Sequence, residues 1–390
     1  MQAMIKPEEV FPPGKYLMTG NEAIVAGALL AECKFFAGYP ITPSSEIMNG
    51  MARYLPLVGG TFIQMEDELA SIMAIIGASW AGARAMTATS GPGFSLMQEG
   101  IGYAIMTETP IVLVNVMRAG PGTGQATKAA QGDIMQARWG RHGDQAIVAL
   151  APSWAQEMLD FTLFAFNISD TLRIPVFLLP DETVGHAGEP VEIPPKDEIK
   201  IIRRREPKTS DEPHFGGNGL DIAPMPTLGK GFNVLVTGST HNQKGIRKTQ
   251  DPQTHSELVW HLVNKVKKHR KEIVKYSIEG SNNPQIGILA YGSVYRSARE
   301  AMEIANNIGI ETALFRPITL WPSPDIEIRE FAKKVDAIIV PELNTGEYIL
   351  EVERTVKDEI PIVGINKIGG GVPIYPEEIL NEIKKIAGVS

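Results

Sequence analysis

Residues 38–46 read Gly38-Tyr39-Pro40-Ile41-Thr42-Pro43-Ser44-Ser45-Glu46 and directly follow the apolar run 35–37. Two further stretches, Glu66-Asp67-Glu68 and Thr89-Ser90-Gly91-Pro92-Gly93, also come after apolar runs of strand length. Parallel strands end at one edge of an open α/β sheet, and ligands bind at that edge. The sequence therefore predicts that the three stretches converge on one site.

Helical and strand patterns alternate around these stretches. A first helix is predicted from its N-cap Asn21 to about Lys34, because an apolar stripe follows. The other predicted helices are 45–54, 68–81, 94–106 and 153–173, and the predicted strands are 35–37, 61–65, 85–89, 111–116 and 174–179. The run 111–116 is rich in β-branched residues, which is typical of a strand covered on both faces. The alternation predicts a doubly wound α/β domain over residues 1–185.

Beyond residue 185 the periodicity fails. Residues 186–284 mix Pro-rich and charged segments with one helical stretch, about Glu257 to Tyr276, and we expect a partly ordered connector. A second, smaller α/β unit is predicted over residues 285–390. Its predicted strands are 286–290, 312–315, 337–340 and 362–365, and its predicted helices are 296–307, 326–334, 347–356 and 376–386.

Composition excludes several classes of function. Of 390 residues, 21% are charged and 43% apolar, as in ordinary globular proteins. A net charge of -8 argues against nucleic acid, which clustered cations bind. No apolar run approaches the ~18 residues that would span a membrane, and the first residues lack a signal peptide's apolar region, so a cytoplasmic protein is expected. Cys33 is the single cysteine, so the chain offers no cysteine set for zinc or a [4Fe-4S] cluster, and we expect no metal site on it.

Glu68 begins a helix that is apolar or small on nearly every face, so the helix is predicted to be buried. A carboxylate at such a position is either a functional group or a partner of the helix dipole, worth ~0.3–1 kcal/mol. The spacing leaves both open. Small residues along this helix favour close approach of another helix, as at a subunit interface: Ala70, Ala74, Gly77, Ala78 and Ala81.

Residues 68–93 resemble the pyrimidine-binding domain of thiamine diphosphate enzymes. There, a catalytic glutamate at a helix start precedes a helix of small residues, a strand and a glycine-bearing turn. The resemblance implies that Glu68 is catalytic and binds the cofactor, with Glu66 as the fallback. It also implies cofactor contacts from Pro40, Ser90 and Gly91. A carboxylate in that role hydrogen-bonds a pyrimidine nitrogen and works best where burial raises its pKa.

More narrowly, residues 38–46 resemble the signature of the 2-oxoacid:ferredoxin oxidoreductases. The resemblance extends over 15–182 and more weakly over 285–390, which is similar to a transketolase C-terminal domain. It implies that Thr42 and Arg118 hold the oxoacid, since a guanidinium fork matches a carboxylate. Alternatively, the prolines at 40 and 43 only shape a turn and Arg118 is structural.

Two further segments carry weaker signals. Residues 120–125, Gly-Pro-Gly-Thr-Gly-Gln, resemble a phosphate-binding loop, but they fit no phosphate-binding motif and no helix clearly follows. We therefore interpret them as an active-site loop. Residues 138–144 resemble a segment of the 2-oxoglutarate branch, in which Arg141 and His142 would bind a second carboxylate or coenzyme A. An exposed loop with local ion pairs is the alternative. His241 lies in a further family-like segment, without an assigned role.

The Gly-Asp-Gly motif with which thiamine enzymes hold the diphosphate through magnesium does not occur. The resemblance therefore implies that a β subunit shares the thiamine diphosphate and carries Mg and a [4Fe-4S] cluster. A γ subunit, with or without a δ subunit, would complete an assembly that uses ferredoxin and coenzyme A. The implied reaction is coenzyme A-dependent oxidative decarboxylation of 2-oxoglutarate to succinyl-CoA, or its reverse. Pyruvate or branched-chain oxoacids, a non-oxidative thiamine enzyme and a non-catalytic scaffold are the alternatives.

Overall fold

The computed structural model describes residues 4–389, which form two α/β units joined by a long connector. The helices are α1 Pro7–Val10, α2 Gly20–Leu30, α3 Ser45–Tyr54, α4 Glu68–Trp80, α5 Gly91–Leu96, α6 Gln98–Met106, α7 Ile134–Trp139, α8 Ala155–Leu172, α9 Glu182–His186, α10 Pro252–Lys268, α11 Arg270–Ile273, α12 Val294–Asn307, α13 Asp325–Ala332, α14 Tyr348–Val356 and α15 Pro376–Ala387. The strands are β1 Gly14–Thr19, β2 Phe35–Gly38, β3 Thr61–Gln64, β4 Ala85–Thr89, β5 Ile111–Asn115, β6 Arg118–Ala119, β7 Gln125–Ala129, β8 Val148–Leu150, β9 Pro175–Leu178, β10 Gly188–Ile193, β11 Tyr276–Gly280, β12 Ile286–Leu289, β13 Thr312–Pro317, β14 Thr319–Trp321, β15 Ala337–Glu342 and β16 Ile362–Asn366.

The first sheet has seven strands in the order β14-β8-β9-β5-β4-β2-β3. All neighbours are parallel except β14, which pairs antiparallel with β8. The fully buried strands β4, β5 and β9 are covered by helices on both faces, as parallel strands require. The carboxyl ends of β2, β4 and β5 meet at one edge, and the chain leaves that edge into the stretches that the sequence singles out.

The second sheet has five strands in the order β11-β13-β12-β15-β16, with only β11 antiparallel. The two units are not separate in space, because β14 crosses from the second unit to the edge of the first sheet. The predicted α/β class is correct for both units.

Several boundaries differ from the predictions. The N-cap of α2 is Thr19 rather than Asn21, because Thr19 and Glu22 form a capping box in which each satisfies the other's backbone N–H. Asn21 is buried instead, and its amide donates to the carbonyl of Pro43 (2.8 Å). The helix predicted at 94–106 begins earlier, at Gly91, and is two helices with a junction at Met97.

The segment predicted as a connector contains regular structure at both ends. β10 pairs antiparallel with β1, and β11 joins the second sheet. The helix predicted to reach residue 276 ends earlier, as α10 followed by the short α11. Between β10 and α10 the chain has only one 3-10 turn, at Lys196–Glu198, yet it buries Phe215 and Met225.

A buried ion cluster fixes this connector against the first unit. The Glu108 carboxylate accepts hydrogen bonds from Lys265 Nζ (2.8 Å), His261 Nε2 (3.0 Å) and the backbone N–H of Gly216 (2.7 Å). Arg173 donates to the Glu108 carbonyl (3.1 Å). Burial opposes ionisation of Glu108, but the surrounding cations outweigh it and hold its pKa well below the usual value.

Searched over residues 4–389, the structure shows no helix with both the length and the apolar character to cross a membrane. Over the same residues, no group of three or more His, Cys, Asp or Glu side chains is arranged to hold a metal ion.

Candidate active site

The three stretches converge as predicted at the carboxyl edge of the first sheet. Arg118, just after β5, donates from Nη1 to the carbonyl of Thr42 (2.7 Å), which ties the first stretch to the end of β5. Glu68 lies against the turn after β4, so closely that a Cβ added to Gly93 would be 2.6 Å from the Glu68 carboxyl carbon. Arg118 and Glu68 are near enough to interact electrostatically.

Glu68 is held at the start of α4 and is only 4% exposed. The helix begins there because Asp67 is its N-cap, with Oδ1 accepting the N–H of Ala70 (2.7 Å). Burial raises the pKa of Glu68, with a further increase from Asp67, while its own backbone N–H and Arg118 act in the opposite direction. Within the described chain, no other residue donates a hydrogen bond to this carboxylate, whereas Glu66 is exposed.

Arg118 is 7% exposed and is held only by neutral groups. Besides the Thr42 carbonyl, it reaches the carbonyl of Thr123 from Nη2 (3.1 Å), and its Nε is buried without a partner. Within residues 4–389 no carboxylate lies within 4 Å of the guanidinium. Its positive charge is thus uncompensated at close range, as a site for an anion requires.

The residues that the family resemblance assigns to the cofactor differ in their burial and in their contacts near Glu68. Ser90 is buried, and its hydroxyl donates to the carbonyl of Val116 (2.8 Å). Gly91 begins α5, and Pro40, within the first stretch, is exposed. Glu68 is therefore the only one of these groups with an ionisable side chain directed into the fold.

A cleft of about 710 Å³ separates the two units next to this site. Gly91, Arg118 and the loop residues Gly120–Gly122 line it on one side, and residues of the second unit, 343–347 and 368–369, line it on the other. Residues 120–125 lead into β7, which pairs antiparallel with β6, so this loop is a hairpin turn at the cleft and no helix follows it directly.

Two carboxyl groups in the cleft were missed by the sequence reasoning, Asp133 and Glu347. Asp133 accepts a hydrogen bond from Asn115 Nδ2 (2.9 Å), and burial raises its pKa despite that bond and the nearby Arg118. Glu347 accepts the N–H of Met135 (3.2 Å), and burial with two neighbouring carboxylates raises its pKa to about 7. The sequence feature that could have identified Glu347 is its position in the turn after β15, at the carboxyl end of a parallel strand.

Arg141 and His142 do not line this cleft. Arg141 is buried, and its guanidinium donates to Gln145 Oε1, Gln98 Oε1 and the carbonyl of Ala137, each at 2.6 Å. Burial lowers its pKa to about 10.

His142 lines a different cavity, of about 510 Å³, between α6, α10 and the connector. His241 is buried and packs on Phe215, with Nδ1 2.8 Å from the Ser239 carbonyl.

The doubly wound domain, with a buried glutamate at a helix start beside a Gly-Pro-Gly turn, defines the pyrimidine-type domain of a thiamine diphosphate protein. The family model described as "Pyruvate flavodoxin/ferredoxin oxidoreductase, thiamine diP-bdg" matches residues 26–261, and "Pyruvate:ferredoxin oxidoreductase core domain II" matches residues 285–379. The chain belongs to this oxidoreductase family, which confirms the family predicted from the sequence.

Known relatives agree with this assignment. The 2-oxoglutarate synthase subunit KorA of Methanocaldococcus jannaschii is 49% identical over 93% of this chain and 97% of its own length. The ketoisovalerate oxidoreductase subunit VorB of Methanothermobacter thermautotrophicus is 36% identical over 96% of this chain and 98% of its own length.

Solved structures share the fold. The 2-oxoglutarate:ferredoxin oxidoreductase from Magnetococcus marinus with 2-oxoglutarate, coenzyme A and succinyl-CoA bound superposes with a TM-score of 0.90 at 32% identity. The match covers 96% of this chain, which spans 65% of that chain. A split gene transketolase, an inactive beta4 tetramer, has a TM-score of 0.57 at 13% identity and shares the fold alone. The predicted fold class is confirmed.

Proposed function

We propose that this chain is the α subunit of a 2-oxoacid:ferredoxin oxidoreductase. Together with its partner subunits, it catalyses the coenzyme A-dependent oxidative decarboxylation of 2-oxoglutarate to succinyl-CoA with reduction of ferredoxin, or the reverse. The observation that carries the proposal is the proximity of a buried Glu68, to which no other described residue donates a hydrogen bond, to a buried Arg118 that donates only to the carbonyls of Thr42 and Thr123. The 2-oxoglutarate synthase subunits at 45–49% identity support the choice of substrate.

The residues present fit thiamine diphosphate. Glu68 offers a buried acceptor next to Gly93, a position where any side chain would collide with the carboxyl group. Pro40, Ser90 and Gly91 would flank the ring from the adjoining strand ends. When bound, this cofactor supplies an electron sink for decarboxylation of a 2-oxoacid. Glu68 contributes a carboxylate that can hold a proton at Oε, and burial of this group brings its proton affinity closer to that needed near neutral pH.

Arg118 binds the carboxylate of the 2-oxoacid in this proposal. Its hydrogen bonds to the Thr42 and Thr123 carbonyls fix the guanidinium plane, and Arg118 lines the cleft in which the substrate would lie. Since both Glu68 and Arg118 are buried, they act where water is largely excluded, which strengthens their electrostatic interactions.

Other components are assigned to partner chains. A β subunit would share the thiamine diphosphate and carry Mg and a [4Fe-4S] cluster, and γ and δ subunits, ferredoxin and coenzyme A would complete the system. Support comes from relatives that are named as subunits and from a sequence without Gly-Asp-Gly. A branched-chain 2-oxoacid is the second candidate substrate, because the ketoisovalerate oxidoreductase subunit is 36% identical over nearly the whole chain.

The test is a viologen-reduction assay of the anaerobically purified complex with coenzyme A and, in turn, 2-oxoglutarate, pyruvate and 2-oxoisovalerate. We expect 2-oxoglutarate to have the highest kcat/KM.

Glu68→Gln should lower kcat by at least ~10²-fold, since it removes a proton-holding group. Glu66→Gln is the matched control, because that exposed carboxylate is two residues away. Copurification of a cluster-bearing partner with both variants would show that assembly is intact. Full turnover by Glu68→Gln would refute the role of Glu68, and no turnover of any 2-oxoacid by the wild-type complex would refute the function.

A further inference from the structure

The cleft between the two units has an unusual charge balance. Its charged lining residues are Arg118, Asp133 and Glu347, so one cation faces two carboxyl groups. If both were ionised, these side chains would carry a net charge of -1. An anionic substrate entering such a cleft would meet repulsion, which is strong where water is displaced. One proton on the carboxyl pair would bring this balance to zero.

The structure distinguishes the two carboxyl groups. Asp133 is stabilised as an anion by the Asn115 amide and by the nearby guanidinium of Arg118. Glu347 receives only the backbone N–H of Met135. The negative charge of Glu347 is therefore stabilised by fewer neighbouring groups than that of Asp133.

Two neighbouring carboxylates, Glu342 and Asp133, also disfavour a negative charge on Glu347. From β15 it faces Glu342, which accepts four hydrogen bonds from Tyr291, Asn344, Tyr348 and Ile349. From the segment before α7 it faces Asp133. Tyr291, after β12, is near enough to feel the charge of Glu347, and Arg118 from β6 is the cation of the cleft. Its own carboxyl is partly buried, at the start of α14.

We propose that Glu347, contributed by the second α/β unit, is a substrate-binding residue of the active site: it takes up one proton when the cleft accepts an anionic 2-oxoacid. The inference rests on the proposed function, because it needs an anion as the substrate. It also gives the second unit a direct part in substrate binding. The protonated carboxyl group can donate a hydrogen bond to the substrate, which an ionised one cannot.

The expected pH effect follows from the fraction of enzyme that is competent to bind. With the pKa of Glu347 at about 7, roughly nine-tenths of the molecules are protonated at pH 6 and roughly one-tenth at pH 8. The kcat/KM for 2-oxoglutarate should therefore fall about tenfold between these pH values, since this ratio reports the free enzyme. At pH 8, binding should take up about 0.9 proton.

The experiment uses the complete complex and compares three variants. Glu347→Gln keeps an acceptor for the Met135 N–H but cannot titrate, so the fall in kcat/KM should disappear. Glu353→Gln is the matched control, because Glu353 is an exposed carboxylate on the same helix outside the cleft, and its profile should equal that of the wild type. Asp133→Asn removes a neighbouring negative charge, so the fall should move to lower pH. This third variant gives an independent test if Glu347→Gln does not assemble.

Proton uptake provides a readout without turnover. Calorimetric titration with glutarate, a non-reacting dicarboxylate, in buffers of different ionisation heat measures the protons taken up per ligand bound. The wild type should take up close to one at pH 8 and Glu347→Gln none. If the wild-type complex turns over 2-oxoglutarate but Glu347→Gln has the same pH slope and proton uptake, this inference is wrong and the proposed function stands. A complex that neither turns over a 2-oxoacid nor binds glutarate overturns both.

Discussion

Replacement of Gly93 by Ala should displace the carboxyl group of Glu68 while leaving that group chemically unchanged. The added Cβ would lie 2.6 Å from the Glu68 carboxyl carbon and closer still to the Thr89 hydroxyl. Ordinary carbon–carbon contacts are ~3.5–4.0 Å, so the carboxyl group must move by about 1 Å. A displacement of that size costs roughly 10²-fold in rate when it misplaces a catalytic group. We expect overpacking to cost a further ~1–3 kcal/mol of stability.

The measurement is kcat of the assembled complex with 2-oxoglutarate, together with its melting temperature. Gly188→Ala is the control, because an added Cβ there meets no heavy atom within 4 Å, and it should retain wild-type activity. The double variant Glu68→Asp/Gly93→Ala should be less impaired than the product of the two single effects, since the shorter side chain relieves the collision. A well-assembled Gly93→Ala complex with activity within twofold of the wild type would refute the reasoning.

Two other substitutions test one charged residue from the buried cluster of the connector and one from the candidate active site. Glu108→Gln should destabilise the protein by ~3–5 kcal/mol at pH 7, because Lys265, which contacts the carboxylate, and the nearby Arg173 lose their buried counter-charge. Since the folded-state pKa of Glu108 is depressed, the difference in free energy of unfolding between the wild type and this variant should shrink as the pH falls through the acidic range. A series of denaturant unfolding curves that gives a pH-independent difference would contradict a stabilising role of the ionised Glu108. Arg118→Lys should lower kcat/KM for 2-oxoglutarate roughly ten- to hundredfold through loss of charged hydrogen bonds, with little change in melting temperature; an unchanged kcat/KM would exclude carboxylate binding by Arg118.

The sequence was most informative where function depends on local geometry. The spacing alone left the role of Glu68 open, and the resemblance to thiamine diphosphate enzymes selected it; in the structure Glu68 begins α4 after the N-cap Asp67. The resemblance also implied Thr42 and Arg118 together, and the structure brings the two residues into contact at the common edge of the parallel strands. The start of α2 was placed wrongly because Thr19 and Asn21, two positions apart, can both cap a helix, and the capping box of Thr19 and the contact of Asn21 with the Pro43 carbonyl decide between them.

Features that depend on distant contacts were not predictable. Asp133 and Glu347 face one another only because the two units dock, and no local pattern joins residues so far apart. The order of the connector depends on the ion pair between Glu108 and Lys265, which are 157 residues apart. Arg141 could not be classified either, because its burial and its four hydrogen-bond partners depend on contacts among α6, α7 and the segment that follows α7.

Two clusters of ionisable groups in this chain differ in a way that separates structure from function. Around Glu108 the carboxylate is fully buried, paired with cations, and has a lowered pKa, so the cluster is electrostatically satisfied and contributes stability. Around Arg118 the carboxyl groups of Glu68, Asp133 and Glu347 all have raised pKa values, and no carboxylate within residues 4–389 lies within 4 Å of the cation. Carboxyl groups with perturbed pKa values cluster at functional sites. This second cluster borders the cleft, so its raised pKa values point to a role with a ligand rather than in stabilising the fold.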